Sequence, residues 1–252
     1  MGVVTEAFHD GVYHLTLNRP DKKNAMSEEL LEALYHSLQR AEKEAAPIVV
    51  IRGAGKTFCS GGDVIEFKDS EEPGIKIDAM ADFLNRGITL IRTMPAIVIA
   101  VVEGLAFGAG LSLSCACDFT LAEEKAVMNM AYRRIGLTPD GGGSIFLSRL
   151  VGMKRFSELY FLSRNIGMEE ARQMGIVNFV VGEGELEARL AALIEDLLAL
   201  PFETTRKLKE LVNLSLLGGL GPHLDRERLY VSQFSAEPEF QERLKRLFKK
   251  GS

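Results

Sequence analysis

The chain has 252 residues, of which 46% are apolar and 26% are charged, and its formal net charge is −5. This apolar content can fill a large buried core, so the composition excludes a disordered chain. The first 200 residues contain no dense Lys/Arg stripe, and we therefore expect no nucleic-acid partner. One basic cluster, RLKRLFKK at 243–250, is interpreted as the solvated face of a terminal helix rather than as a nucleic-acid or lipid contact.

The first residues, MGVVTEAFHDG, have neither the basic nor the apolar part of a secretion signal. The longest apolar run, PAIVIAVVEGLAFGAG, is interrupted by Glu103 and by glycines before it reaches membrane-spanning length. We therefore expect a cytoplasmic protein with no membrane partner. Three cysteines form no disulfide framework, and the CAC motif at 115–117 has no second ligand pair for zinc, so all three are predicted to be reduced.

In chain order, the first half alternates between β-rich runs and amphipathic stretches. Strands are predicted from alternating or continuous apolar residues, and helices from apolar residues at helical spacing. Ser27 is the predicted N-cap of the first helix, and Pro95 ends the second. The strands are predicted at 11–18, 47–55 and 95–104, and the helices at 27–44 and 78–94. This β-α-β-α-β order predicts an α/β core with parallel strands.

From Gly152 onward the patterns are mainly helical. We predict a core over 1–195 and a helical C-terminal region over 196–252. The GGLG segment at 218–221 is interpreted as a break between two helices rather than as a functional hinge.

Three glycine-bearing turns are candidates for function: FCSGGD at 58–63, EGLAFGAG at 103–110 and PDGGG at 139–143. A glycine turn that opens a helix leaves backbone N–H groups without carbonyl partners, and the helix dipole adds positive charge there. None of the three matches a dinucleotide or phosphate-loop motif. The first two each follow a strand of the same predicted sheet, so they can direct two amides at one point.

Over nearly its whole length the chain resembles the crotonase superfamily, the enoyl-CoA hydratase/isomerase family. The segments that carry this resemblance occur in the family's order and spacing: NRPDKKNAM (18–26), FCSGGDVIEF (58–67), AVVEGLAFGAGLSLSCACDFTLAEEKA (100–126), IGLTPDGGGSIFLSRLVG (135–152) and EEARQMGIVNFVV (169–181). The resemblance implies a crotonase-like spiral of ββα units, a helical C-terminal region that forms trimers or hexamers, and an acyl-CoA ligand.

The same resemblance implies an oxyanion hole made by the N–H groups of Gly62 and Ala109, which would bind the thioester oxygen. No metal and no separate cofactor are then expected, because coenzyme A is part of the substrate. Two lysines, Lys22 and Lys23, either face the CoA phosphates or are simply solvated. Substrate contacts are implied for Lys23, Ala25, Ser60, Gly61, Asp63, Val64, Gly110 and Tyr132.

The sequence departs from hydratases at two positions. Where hydratases have two glutamates that hold water, this chain has Ser112 and Tyr132. Neither is a useful general base near neutral pH. Asp140 follows Pro139 directly, as in isomerase-type members of the superfamily. A single carboxylate suits a double-bond shift, since it can remove a proton from one carbon and return it to another.

The prediction is therefore an acyl-CoA isomerase with Asp140 as the acid/base. We expect burial beside apolar walls to raise the pKa of Asp140. The alternative is that Asp140 only shapes a turn with Pro139 and Gly141. At the level of function, the alternatives are a hydratase or another crotonase reaction such as thioester hydrolysis, and a non-catalytic acyl-CoA-binding protein. The sequence does not identify the acyl group.

Overall fold

The computed structural model describes residues 2–249 as a mixed α/β fold. Its strands are β1 (Val4–His9), β2 (Val12–Leu17), β3 (Ile48–Gly53), β4 (Ile97–Val102), β5 (Leu105–Phe107), β6 (Phe119–Glu123), β7 (Val127–Asn129), β8 (Ile166–Gly167) and β9 (Phe179–Val181). They form a six-stranded sheet in the order β1-β2-β3-β4-β6-β9 and a three-stranded sheet in the order β5-β7-β8.

The helices surround these sheets and dominate the second half of the chain. They are α1 (Glu28–Lys43), α2 (Val64–Asp69), α3 (Pro73–Thr93), α4 (Ala109–Ala116), α5 (Gly143–Leu162), α6 (Met168–Gln173), α7 (Leu186–Leu198), α8 (Phe202–Leu216), α9 (Leu220–Ser235) and α10 (Pro238–Lys249). Two 3₁₀ helices, Pro20–Lys22 and Tyr132–Ile135, lie beside the site described below.

The predicted parallel core is present. β2, β3, β4, β6 and β9 run parallel, and only β1 pairs antiparallel in this sheet. β4 is buried along its whole length, which explains its continuous apolar run. Ser27 caps α1 by accepting a hydrogen bond from the N–H of Leu30 at 3.1 Å. α3 begins five residues before the predicted start at 78, because Pro73 occupies a first-turn position where proline is favoured.

Two groups of apolar side chains fill the two sides of the large sheet. The larger group lies between the sheet and helices that include α1, α3 and α4. The smaller group joins residues of β3, β4 and β6 to Leu186, Leu190 and Leu193 of α7. The predicted boundary after residue 195 therefore falls inside a helix that packs on the sheet, and the purely helical part begins at α8.

Within residues 2–249, no helix is both long enough and apolar enough to span a bilayer. The predicted break at 218–221 is present, since α8 ends at Leu216 and α9 begins at Leu220. The described part of the basic cluster lies on α10, where Arg243 and Arg246 pair with glutamates one turn earlier. Lys250, the last residue of that cluster, lies outside the described residues.

Candidate active site

A cavity of about 630 Å³ lies where the glycine-rich turns, the second 3₁₀ helix and the C-terminal helices meet. Its lining is mainly apolar, and Phe67, Ile77, Val231 and Leu247 come from four different helices. The exposed residues Asp21, Lys22 and Lys23 form one side. The cavity can therefore enclose an apolar group while a polar, charged portion of the same ligand remains near solvent.

The two predicted oxyanion donors both line this cavity. The turns that carry them are joined edge to edge, because Cys59 donates its N–H to Leu105 at 2.9 Å and accepts from the N–H of Phe107 at 2.9 Å. Ala109 is the first residue of α4, so its N–H has no intrahelical partner. Within residues 2–249, no backbone carbonyl accepts a hydrogen bond from the N–H of Gly62 either. Two amides are thus available to an oxygen atom bound in the cavity.

The two turns approach each other so closely that each needs a glycine where they meet. Gly61 has a φ of +98°, and a Cβ added to it would lie 2.9 Å from the carbonyl oxygen of Phe107. Gly108, the N-cap of α4, has a φ of +51° and a ψ of −121°. Side chains at these positions would separate the turns or strain the backbone. The FCSGGD and GLAFGAG motifs are therefore explained by the close approach of the two turns.

The segment 18–26 is fastened to the first turn by polar contacts. Arg19 binds the carboxylate of Asp63 at 2.9 Å and donates to the carbonyl of Ala25 at 2.6 Å. Asp63 is buried and caps α2 by accepting from the N–H groups of Ile65 and Glu66 at 3.1 and 3.4 Å. Its side chain therefore positions the loop that carries Gly62.

Asp140, Tyr132 and Ser112 form one hydrogen-bonded chain. The hydroxyl of Tyr132 donates to Oδ1 of Asp140 at 2.7 Å, and Oγ of Ser112 lies 2.9 Å from the same hydroxyl. Tyr132 and Ser112 are buried, whereas Asp140 is partly accessible from the cavity. A phenol has one proton to donate, so Ser112 donates to the oxygen of Tyr132 when Tyr132 donates to Asp140. Ser112 and Tyr132, which stand where hydratases have two glutamates, thus orient the carboxylate of Asp140.

The protonation properties of this chain follow from its burial. Desolvation raises the pKa of Asp140 to about 7, opposed by the hydrogen bond from Tyr132 and reinforced by the negative charge of Glu227. Desolvation, with the charge of Asp140, also raises the pKa of Tyr132 well above its usual value. Tyr132 therefore stays a donor, while Asp140 is populated in both protonation states near neutral pH and can accept or release a proton.

The cavity lining includes ten of the eleven residues that the sequence assigned to catalysis or substrate contact. These are Lys23, Ala25, Ser60, Gly61, Gly62, Asp63, Val64, Ala109, Tyr132 and Asp140. Gly110 does not line it: a Cβ there would lie 2.6 Å from the carbonyl oxygen of Cys59, so Gly110 lets α4 pack against the first turn.

Several residues at the site were not identified from the sequence. Arg19 and Glu227 act on the turns through contacts with residues far away in the chain, and Val231 and Leu247 line the cavity from the last two helices. The N-cap role of Asp63 could have been predicted, because Asp directly before VIEF is a typical helix start.

Other reactive groups are remote or inert. Burial raises the pKa of the Cys59 and Cys115 thiols to about 12, so neither is a thiolate near neutral pH. All three cysteines are free and buried. Among residues 2–249, no group of three or more His, Cys, Asp or Glu side chains is arranged to hold a metal ion.

Comparisons with known proteins identify the family of this chain. The family model for enoyl-CoA hydratase/isomerase matches residues 7–251. The 1,2-epoxyphenylacetyl-CoA isomerase of Escherichia coli is 29% identical over 92% of this chain and 90% of its own length. The crystal structure of an enoyl-CoA hydratase from Mycobacterium avium subsp. paratuberculosis has a TM-score of 0.90 and 31% identity, covering 97% of this chain and 98% of that one. The chain belongs to the enoyl-CoA hydratase/isomerase family and has the crotonase fold.

Proposed function

We propose that this protein is an enoyl-CoA isomerase that shifts a double bond of an unsaturated acyl-CoA, with Asp140 as its acid/base. The carboxylate of Asp140 removes a proton from C2 of a 3-enoyl thioester, and the electron pair moves onto the thioester oxygen as a dienolate. Asp140 then returns the proton to C4, which leaves the double bond between C2 and C3. No other reactant is consumed.

The observation that carries this proposal is the single carboxylate held by Tyr132 and Ser112. A proton that is removed and returned needs a group with a pKa near neutral, and burial gives Asp140 a pKa of about 7. The amides of Gly62 and Ala109 would stabilise the oxygen that gains charge, each by about 3 kcal/mol in the transition state. Hydration would need a second acid to orient and deprotonate water, and Ser112 and Tyr132 occupy the positions where hydratases have those acids.

The acyl-CoA ligand would bind with its acyl group among the apolar walls. Its thioester would then lie between Asp140 and the two amides, and Lys22 and Lys23 would be available to the CoA phosphates. The related E. coli protein is named as an isomerase of a ring-bearing acyl-CoA, so the substrates of interest include linear and cyclic unsaturated acyl groups.

The test compares wild type with Asp140→Asn on a linear 3-enoyl-CoA and on the corresponding 2-enoyl-CoA. We expect the 3-enoyl-CoA to become 2-enoyl-CoA with little 3-hydroxyacyl-CoA, and the variant to lose about 10²-fold to 10⁴-fold in kcat. Asp69→Asn is the matched control, because it makes the same change at an exposed carboxylate on α2.

Three outcomes would contradict the proposal. Conversion of 2-enoyl-CoA mainly to 3-hydroxyacyl-CoA would make the protein a hydratase, and release of free CoA would make it a thioesterase. Binding of acyl-CoA without any exchange of C2 or C4 protons in deuterated water would make it a non-catalytic binding protein.

We also propose that the protein works as a homotrimer or a hexamer of two trimers. The supporting observation is the apolar surface of α8, where Leu208, Leu211 and Leu214 are between 61% and 70% exposed. Apolar surface of this kind is typical of protein interfaces. Light scattering after size exclusion should give three or six times the chain mass, and a monomer would contradict this proposal.

A further inference from the structure

The buried carboxylate of Glu227 on α9 lies against the turn that follows Asp140. Its Oε2 accepts the N–H of Gly142 at 2.7 Å, and its Oε1 accepts the N–H of Ser144 at 2.9 Å and the hydroxyl of Ser144 at 2.5 Å. Glu227 is only 5% exposed. Nothing in the proposed reaction uses this carboxylate, so its burial needs a separate explanation.

The contacts of Glu227 close the N-terminus of α5. Gly142 is the N-cap of this helix and has no side chain with which to cap it. The first amides of a helix carry partial positive charge, and a carboxylate is the group that best satisfies them. Here the carboxylate comes from another helix, 85 residues later in the chain.

The position of Asp140 makes this cap important for the proposed chemistry. Asp140 lies two residues before the N-cap of α5, and its carbonyl accepts the N–H of Gly143 at 3.0 Å. An uncompensated helix N-terminus at this place would favour the ionised form of a nearby carboxyl group. An acid that takes a proton from one carbon and returns it to another must also be stable in its protonated form. It therefore needs surroundings that do not lower its pKa.

We propose that Glu227 is a positioning residue for Asp140: it neutralises the positive end of α5 and fixes the turn, so that Asp140 can both take up and return a proton. This inference rests on the proposed isomerase function. The negative charge of Glu227 also acts directly on the Asp140 carboxyl and raises its pKa.

The other groups around the turn leave this role to Glu227. Leu84 of α3 lies beside Gly141, and Ser112 of α4 reaches Asp140 only through Tyr132. His223 lies 2.7 Å from the hydroxyl of Ser144 and 3.5 Å from Glu227. Besides Asp140, the titratable or charged side chains that face the turn or share its cavity are Asp21, Lys22, Lys23, Asp63, Tyr132, Arg134, His223 and Glu227.

The main test is the pH profile of kcat/KM for Glu227→Gln with a 3-enoyl-CoA. The amide keeps the size of the side chain and one acceptor oxygen but removes the charge. The acidic limb of this profile is the range in which kcat/KM falls as Asp140 becomes protonated. We expect this limb to move by about 1 pH unit to lower pH. The plateau rate should fall, because a weaker base removes a proton more slowly.

Two further variants separate charge from shape. Glu227→Asp keeps the negative charge on a side chain that is one methylene shorter. Its acidic limb should lie closer to the wild-type position than that of Glu227→Gln. His223→Gln removes the neighbouring imidazole and should leave the limb in place. A limb that stays fixed in Glu227→Gln, while thermal stability and turnover fall, would show a purely structural role and overturn the proposal.

A measurement on the wild type covers the case in which Glu227→Gln does not fold. The carboxyl titration of Asp140 can be followed by ¹³C NMR as the difference between wild type and Asp140→Asn. A titration near the ordinary value of about 4 would overturn the proposal. Because burial also raises this pKa, the titration is repeated in Glu227→Asp, where the more distant charge should give a pKa below that of the wild type, and an unchanged pKa would likewise overturn the proposal. If Asp140→Asn keeps full isomerase activity, the proposed function fails. If Asp140→Asn is inactive but Glu227→Gln leaves the limb unmoved, only this inference fails.

Discussion

Replacing Tyr132 by phenylalanine tests whether its hydroxyl controls the ionisation of Asp140. The substitution removes the 2.7 Å hydrogen bond to Oδ1 of Asp140 and keeps the ring that fills the site. This hydrogen bond lowers the pKa of Asp140, against the larger effect of burial. Without it, the pKa should rise, because the carboxylate keeps its desolvation and loses a donor.

The size of the change follows from the energy of the lost bond. A hydrogen bond to a charged group contributes about 1.5–3 kcal/mol, and one pKa unit corresponds to about 1.4 kcal/mol. The pKa of Asp140 should therefore rise from about 7 to about 8–9. At pH 7 the ionised fraction falls from about one half to about 1–10%, so kcat/KM should fall about 5-fold to 50-fold.

The assay measures kcat/KM for a 3-enoyl-CoA between pH 5.5 and about 9.5, by the absorbance of the conjugated product. The acidic limb of the Tyr132→Phe profile should move to higher pH, and most of the loss should be recovered at the alkaline end. Tyr160→Phe is the matched control, because the Tyr160 hydroxyl donates to the carbonyl of Leu137 rather than to Asp140. A loss of equal size at every pH, or a limb that moves to lower pH, would refute the reasoning.

Two other predictions concern stability and the oxyanion hole. Because Asp140 has a raised pKa in the folded state, its protonation stabilises the fold fully below about pH 4, and this contribution is lost as the pH rises to about 7. The free energy of unfolding of Asp140→Asn relative to wild type should thus increase by about 1.4 kcal/mol per pH unit across this range and stay constant above it. Urea denaturation at several pH values measures this difference. A pH-independent difference would contradict the raised pKa. Gly62→Ala would place a Cβ 2.6 Å from the ring of Phe67, so the ring or the Gly62 amide must move. We expect about a 10-fold to 100-fold loss of kcat/KM, partly recovered by adding Phe67→Leu, and an unchanged rate would argue against the Gly62 donor.

The sequence was sufficient to predict the parts of the site that depend on short segments. The two glycine turns and the isolated Asp140 are visible within single motifs, and the resemblance to the family draws attention to Ser112 and Tyr132. The alternation of strands and helices also predicted the parallel sheet, because each strand and helix has its own apolar period. The structure adds that Ser112 and Tyr132 form a hydrogen-bonded chain that ends on Asp140.

The contacts between distant segments could not be predicted in this way. Arg19 is 44 residues from Asp63, and Glu227 is 85 residues from Gly142; neither pair has a local signal. A buried glutamate within a helix such as LGPHLDRERLYVSQFS has no periodic feature that separates it from solvated charges. Likewise, the division after residue 195 relied on helical patterns and the family resemblance, whereas α7 is held to the sheet by three leucines that only the folded arrangement brings into contact.

The surroundings of Ser112 give a physical reason to expect that the proposed proton transfer is favoured over hydration. A Cβ at Gly143 would lie 2.5 Å from the hydroxyl oxygen of Ser112, so α5 packs closely on α4 at this point. On the cavity side, the hydroxyl of Tyr132 occupies the space next to Ser112 at 2.9 Å. A glutamate at position 112 would have to displace the tyrosine or push α5 away, and either movement would disturb the turn that Glu227 holds. Ser112, Tyr132 and the Glu227 cap on α5 are therefore parts of one set of contacts around Asp140, and under the proposed function they leave this carboxylate alone to move the proton.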